Sequence, residues 1–86
     1  MITIAEIAAK IEGNVDGDGS FPIDGIAGLD DAVKGDLSFM VGSKYALALK
    51  TTKASAVIVS NDWRGESPCT LIHVSNPDQA FSYAVG

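Results

Sequence analysis

The feature that most limits the possible folds of this chain is the apolar run ASAVIV at residues 54–59. Its residues are small or β-branched, and only Ser55 interrupts their apolar character. A strand with one face in water alternates apolar and polar side chains, so a run without alternation is typical of a strand covered on both faces. Such strands belong to sheets that have helices packed against them. The run therefore predicts an α/β fold.

A helix is predicted near the start of the chain. Thr3 and Glu6 have the spacing of a capping box, in which each side chain accepts a hydrogen bond from the other residue's backbone N–H. Apolar residues then repeat at helical spacing, which predicts a helix over residues 4–12. Gly13 is expected to end this helix in the left-handed conformation.

The rest of the chain alternates strand and helix signals. Apolar patterns predict further strands at residues 21–28, 37–41 and 70–74. Ser43 and the pair Asn76-Pro77 are helix-start signals, which predict a helix over residues 44–50 and another at the carboxyl end. We therefore expect residues 1–86 to form a single small α/β domain with a mixed sheet of about five strands flanked by helices.

The segment NVDGDGS at residues 14–20 allows two interpretations. Its alternating aspartates suggest a calcium loop, but the full loop length and the terminal bidentate glutamate are missing. The interpretation that we favour is a turn between short strands, in which Gly17 and Gly19 adopt positive φ.

Charge and titratable residues limit the possible functions. The net charge is −5 and the six Lys and Arg residues are scattered, which argues against a nucleic-acid partner. His73, the only histidine, lies inside a predicted strand, where a hydrogen-bonded structural role is the commoner one. The single cysteine, Cys69, can form neither an internal disulfide nor a thiolate metal cluster. We therefore predict a binding domain without catalytic residues, metal or cofactor.

The amino-terminal sequence indicates the compartment. MITIAEIAAKIEG has no basic leader, and Glu6 interrupts its apolar part, so no signal peptide is expected. The longest apolar runs are too short to span a bilayer. Together with the single cysteine, these features favour a cytoplasmic protein.

The candidate binding site is the stretch GDLSFMVGSKYALAL at residues 35–49. It passes from a predicted strand to a predicted helix, which is where α/β folds bind ligands. Phe39 and Tyr45 flank the break and can stack on the two faces of a flat ring. Lys44 adds one positive charge. The alternative, favoured by the residue pattern alone, is that both aromatic side chains are core residues.

Three segments carry a family resemblance: GIAGLDDAVKGDLSFMVGSKY, TTKASAVIV and VSNPDQAF. In this order, they resemble the amino-terminal domain of the UDP-3-O-acylglucosamine N-acyltransferase family over nearly the whole chain. The resemblance implies a uridine-binding domain followed by a β-helix of hexapeptide repeats and a helical tail, assembled as a homotrimer. It implies transfer of a 3-hydroxyacyl group from acyl carrier protein to the 2-amino group of UDP-3-O-acylglucosamine, in lipid A biosynthesis.

The resemblance also assigns roles to residues. It implies that Phe39 and Tyr45 hold the uracil, which reverses the preference for core positions. Where the family usually has Asn-Pro-Lys, this chain has Gly42, Ser43 and Lys44, which become possible substrate contacts. Gly42 offers only backbone groups to the base, so weaker base selectivity is expected. The catalytic histidine is implied to lie in the repeats, so the 86-residue chain alone is expected to be inactive.

Two other functions remain open at this point. The amino-terminal domain of Mur ligases has a similar topology and also binds a UDP-sugar. It is expected to carry Asp-Ser-Arg before its Gly-Asp-Leu strand, where this chain has Leu29-Asp30-Asp31-Ala32. The third possibility is a non-enzymatic α/β interaction module.

Overall fold

The computed structural model describes residues 2–40, 46–63, 69–77, 79–80 and 82. In chain order, the elements are β1 (Ile2–Thr3), α1 (Ile4–Lys10), β2 (Asn14–Asp16), β3 (Pro22–Ile23), β4 (Gly25–Ile26), β5 (Asp36–Phe39), α2 (Ala46–Thr51), β6 (Ala56–Ser60) and β7 (Thr70–Val74). Further helical residues follow β7, at Pro77, Gln79, Ala80 and Ser82. None of the helices in the described ranges is long and apolar enough to cross a membrane.

The architecture is built on a five-stranded mixed sheet with the strand order β2-β7-β6-β5-β4. Strands β4 to β7 run parallel, and β2 pairs antiparallel with β7 at one edge. Strands β1 and β3 form a separate antiparallel pair. The predicted small α/β domain with a mixed sheet of about five strands is therefore confirmed.

Strand β6 lies at the centre of this sheet, as its continuous apolar sequence predicts. Ala56 and Ile58 belong to the cluster on the α1 side of the sheet, together with Ile4, Ile7 and Leu37. Val57 and Val59 belong to the cluster on the α2 side, together with Met40, Leu49 and Leu71. Because both faces of β6 are covered, apolar side chains are favoured at every position along it.

Helix α1 begins with the predicted capping box. The Glu6 backbone N–H donates to Thr3 Oγ1 at 3.2 Å, and the Thr3 backbone N–H donates to Glu6 Oε1 at 3.3 Å. Replacing Thr3 by alanine is expected to lower the free energy of unfolding by about 1 kcal/mol. Thr3→Ser keeps the acceptor and is expected to retain most of this energy, as urea unfolding would measure. Equal losses in both variants would show that the cap contributes nothing.

The end of α1 differs from the prediction. Glu12, with φ 57°, takes the left-handed conformation that was expected at Gly13. The Glu12 N–H donates to Ala9 O at 3.4 Å and the Gly13 N–H to Ala8 O at 2.8 Å, which is the Schellman pattern. Gly13 is needed for another reason, because a Cβ there would lie 2.5 Å from Ile72 Cγ2. Packing against β7, rather than backbone conformation, therefore requires this glycine.

The segment between α1 and β5 was only partly predicted. Gly17 has the expected positive φ, of 123°, whereas Gly19 does not. The strand predicted at residues 21–28 is in fact two strands, β3 and β4, in different sheets. The chain changes sheets at Asp24, whose backbone N–H donates to Gly35 O at 2.9 Å. An alternating pattern identifies an extended backbone but not its pairing partner, so the prediction of a single strand was wrong.

The carboxyl-terminal predictions are confirmed where the structure describes them. Strand β7 spans the predicted residues 70–74. Asn76 caps the helical residues after it, since its Oδ1 accepts from the Gln79 N–H at 3.2 Å and its carbonyl accepts from the Ala80 N–H at 2.9 Å. Pro77, which has no N–H, occupies the first helical position, where none is needed.

Candidate functional site

The candidate site lies at the edge of the sheet where the parallel strands end. Phe39 ends β5, Ser60 ends β6 and Val74 ends β7. The ladder continues one step past β5 and β6, since Met40 N–H donates to Ile58 O and Asn61 N–H donates to Val74 O, both at 2.8 Å. This carboxyl edge is where open α/β sheets bind their ligands.

Phe39 is the last residue of β5, at the carboxyl edge of the sheet. It pairs in register with Ile58 of β6 and packs against the cluster on the α1 side of the sheet. Its side chain is only partly buried. Phe39 is therefore in contact with the core without being fully buried, and its role in binding stays a prediction.

The other predicted site residues, Gly42, Ser43, Lys44 and Tyr45, lie outside the described residues. The predicted crevice between Phe39 and Tyr45 therefore stays a prediction. The helix expected next is present as α2, which begins at Ala46. Leu49 of α2 is fully buried in the cluster on the α2 side of the sheet, so it anchors this helix against the sheet. The predicted strand before the site and the predicted helix after it are thus confirmed as β5 and α2.

Ser38, beside Phe39, is a site feature that the sequence did not reveal. Its side chain is fully buried, and its hydroxyl has no hydrogen-bond partner among the described residues. A buried hydroxyl without a partner costs about 1–3 kcal/mol, so such groups are uncommon. The sequence does not show whether the hydroxyl of a strand serine is buried without a hydrogen-bond partner. Sequence reasoning therefore did not single out Ser38.

His73 has the structural role that was predicted. Its Nδ1 lies 3.2 Å from the Ser60 carbonyl oxygen of β6, and its Nε2 lies 3.8 Å from Asp16 Oδ2 of β2. The side chain is 18% exposed. His73 thus links the two neighbours of β7. Within the part of the chain that the structure describes, no group of three or more His, Cys, Asp or Glu side chains is placed to hold a metal ion.

A family match decides the assignment. Residues 20–85 match the model described as UDP-3-O-(3-hydroxymyristoyl) glucosamine N-acyltransferase, LpxD. The chain belongs to the LpxD family. The matched residues include β3 to β7, and with them Phe39 and the whole of the candidate site. The match favours the acyltransferase interpretation over the Mur ligase and over the interaction module.

Individual LpxD-family relatives agree with this match. The chain is 36% identical over 83 residues to a UDP-3-O-acylglucosamine N-acyltransferase of Methylacidiphilum infernorum, covering 96% of this chain and 24% of the relative. Enzymes with the same name from Marinomonas sp. and Geobacter sp. are 41% and 42% identical over 80 residues, covering 93% of this chain and 23% of each relative. The chain thus spans about a quarter of the length of these relatives.

Proposed function

We propose that this chain is the uridine-nucleotide-binding domain of a UDP-3-O-acylglucosamine N-acyltransferase. The whole enzyme would transfer a 3-hydroxyacyl group from acyl carrier protein to the 2-amino group of UDP-3-O-acylglucosamine, in lipid A biosynthesis. It would work in the cytoplasm as a homotrimer. The observation that carries the proposal is the LpxD match over residues 20–85, which contains the candidate site.

The position of Phe39 supports a role in holding the base. A stacking platform has to be accessible to the ligand and fixed in orientation, so that little side-chain entropy is lost on binding. Phe39 is partly exposed, and its packing against the α1-side cluster restrains the ring. Tyr45 would cover the second face of the uracil. Lys44 would place its charge near the diphosphate.

The proposal assigns substrate binding and acyl transfer to different parts of the enzyme. The domain would hold the uridine end of the substrate, while the acylation step would take place on the hexapeptide repeats of the complete enzyme. The 86 residues alone are therefore expected to bind the nucleotide without transferring an acyl group. Binding energy from a remote part of the substrate can still serve catalysis by orienting the reacting amine.

The isolated domain is expected to bind uridine nucleotides weakly. Two stacking faces contribute roughly 2–6 kcal/mol in gross terms. Lost translational freedom and side-chain ordering oppose binding by at least several kcal/mol. A dissociation constant of about 1 mM corresponds to −4.1 kcal/mol, so we expect millimolar or weaker affinity. The net charge of −5 also opposes binding of the phosphate.

A titration of the ¹⁵N-labelled chain with UMP, CMP and AMP tests this function. We expect UMP to shift the amide signals of Phe39, Met40 and Tyr45, and CMP to shift them less. The difference is expected to be modest, because Gly42 has no side-chain amide to bind the uracil edge. Equal shifts with all three nucleotides, or no shift at high millimolar UMP, would contradict the proposal.

A further inference from the structure

A hollow lies at the amino edge of the sheet, opposite the candidate site. Its volume is about 280 Å³, and its lining includes Lys34, Lys53, Ser55 and Thr70. Ser55 directly precedes β6 and Thr70 begins β7, so the hollow is at the end of the sheet away from Phe39. The proposed function does not use this hollow.

The charges around the hollow are unusual for this chain. Two of the six Lys and Arg residues line it, although the net charge is −5. The Lys34 Nζ lies 5.6 Å from the centroid of the Phe21 ring, so a cation–π contact holds this ammonium group at the hollow. Neither Lys34 nor Lys53 forms an ion pair within the described ranges. Two positive charges are thus available to a ligand.

The hydroxyl groups of the hollow differ in what they can donate. The Ser55 Oγ accepts from the Gly35 N–H at 2.7 Å, which leaves its own O–H to donate to a ligand. The Thr70 hydroxyl already donates to the Asp18 carbonyl oxygen at 3.2 Å. The available donors are therefore the two ammonium groups and the Ser55 hydroxyl.

One carboxylate opposes these donors. Asp18 also lines the hollow, and its Oδ1 accepts from the Ser20 hydroxyl at 2.6 Å and from the Ser20 N–H at 2.9 Å. The hydrogen bond from the Ser20 side chain, followed by that from the Ser20 backbone, holds the pKa of Asp18 below its usual value. Asp18 is therefore ionised at neutral pH, and the two lysines leave a net charge of +1 on the lining.

We propose that this hollow binds a phosphate group, as free phosphate or as part of a phosphomonoester. A phosphate ion at neutral pH offers several acceptor oxygens and more than one negative charge, which matches two ammonium groups and a hydroxyl donor. Binding is expected to be weak, because the site is open to water. Each ammonium group at about 4 Å contributes roughly a 5-fold gain in affinity at the dielectric constant of water.

Charge variants at constant ionic strength test the site. The ¹⁵N-labelled chain is titrated with sodium phosphate, and the amide shifts of Gly35, Ser55 and Thr70 give the affinity. Lys34→Gln and Lys53→Gln are each expected to weaken binding about 5-fold. Asp18→Asn, which keeps an acceptor for Ser20, is expected to strengthen binding by a similar factor.

Lys10 provides the matched control. It is exposed in the last turn of α1 and lines a different hollow, together with Glu6, Ile23 and Leu37. Lys10→Gln changes the net charge by the same amount as Lys53→Gln and is expected to leave phosphate affinity unchanged. Equal weakening by both variants, or no shift at the amino edge at high millimolar phosphate, would overturn the proposal.

Titrations with phosphate, uridine and UMP distinguish this site from the uridine site. Phosphate is expected to shift only the amino edge, around Ser55, and uridine only the carboxyl edge, around Phe39. UMP, which carries both groups, is expected to shift both edges if the hollow accepts phosphomonoesters. Failure of uridine to shift Phe39 would count against the proposed function alone. Failure of phosphate to shift Ser55 would count against the hollow alone.

Discussion

Replacing Ile58 by alanine is expected to lower the free energy of unfolding by about 2–5 kcal/mol. Ile58 lies on the central strand β6, is 0% exposed and belongs to the cluster on the α1 side of the sheet. The truncation removes buried apolar contacts and leaves a cavity that this sheet cannot close, because both neighbouring strands are held in parallel register. Native stability is typically about 0.05–0.15 kcal/mol per residue, so the loss is large for a chain of this length.

Ile26 is the matched control for this experiment. It is also an isoleucine in a strand of the same sheet, but it lies on the edge strand β4 and is 45% exposed. Ile26→Ala is expected to cost about 1 kcal/mol or less, because most of its surface is already in contact with water. Urea unfolding followed by circular dichroism measures both variants. Equal losses would contradict the central position of β6 in the core.

Replacing Phe39 by leucine is expected to weaken UMP binding roughly 5- to 150-fold, which corresponds to the loss of one stacking contact of about 1–3 kcal/mol. Leucine keeps apolar contact with the α1-side cluster but has no flat face to offer the base. Because the affinity of the unchanged domain is expected to be weak, the variant should show no saturation in a UMP titration followed at the Met40 amide.

Phe21 provides the control for this loss. It is also partly buried and packs against the same cluster as Phe39, but it lines the hollow at the amino edge. Phe21→Leu is expected to reduce stability about as much as Phe39→Leu while leaving UMP affinity at the carboxyl edge, followed at the Met40 amide, unchanged. If both variants weaken UMP binding equally at the Met40 amide, the effect of Phe39→Leu arises from destabilisation, and Phe39 is not the stacking residue.

Several parts of the structure follow from the sequence because local physics decides them. The capping box of α1 depends on two residues three positions apart, and both of its hydrogen bonds are present. The cap at Asn76 is of the same kind. The continuous apolar run of β6 indicates that both faces of the strand are covered, although it does not show which elements cover them. The family resemblance was likewise visible in contiguous segments of the chain, and the LpxD match agrees with it.

Other parts depend on which residues meet across the fold, and only the tertiary structure decided them. Alternation over residues 21–28 did not reveal that β3 and β4 pair with different strands. Gly13 is required by contact with Ile72, almost sixty positions away, which no local pattern contains. Lys34 and Lys53 look scattered in the sequence, yet the parallel strands bring both to one hollow. Pairing, close packing and clustered charge depend on distances between remote residues, and the order of residues along the chain does not specify those distances.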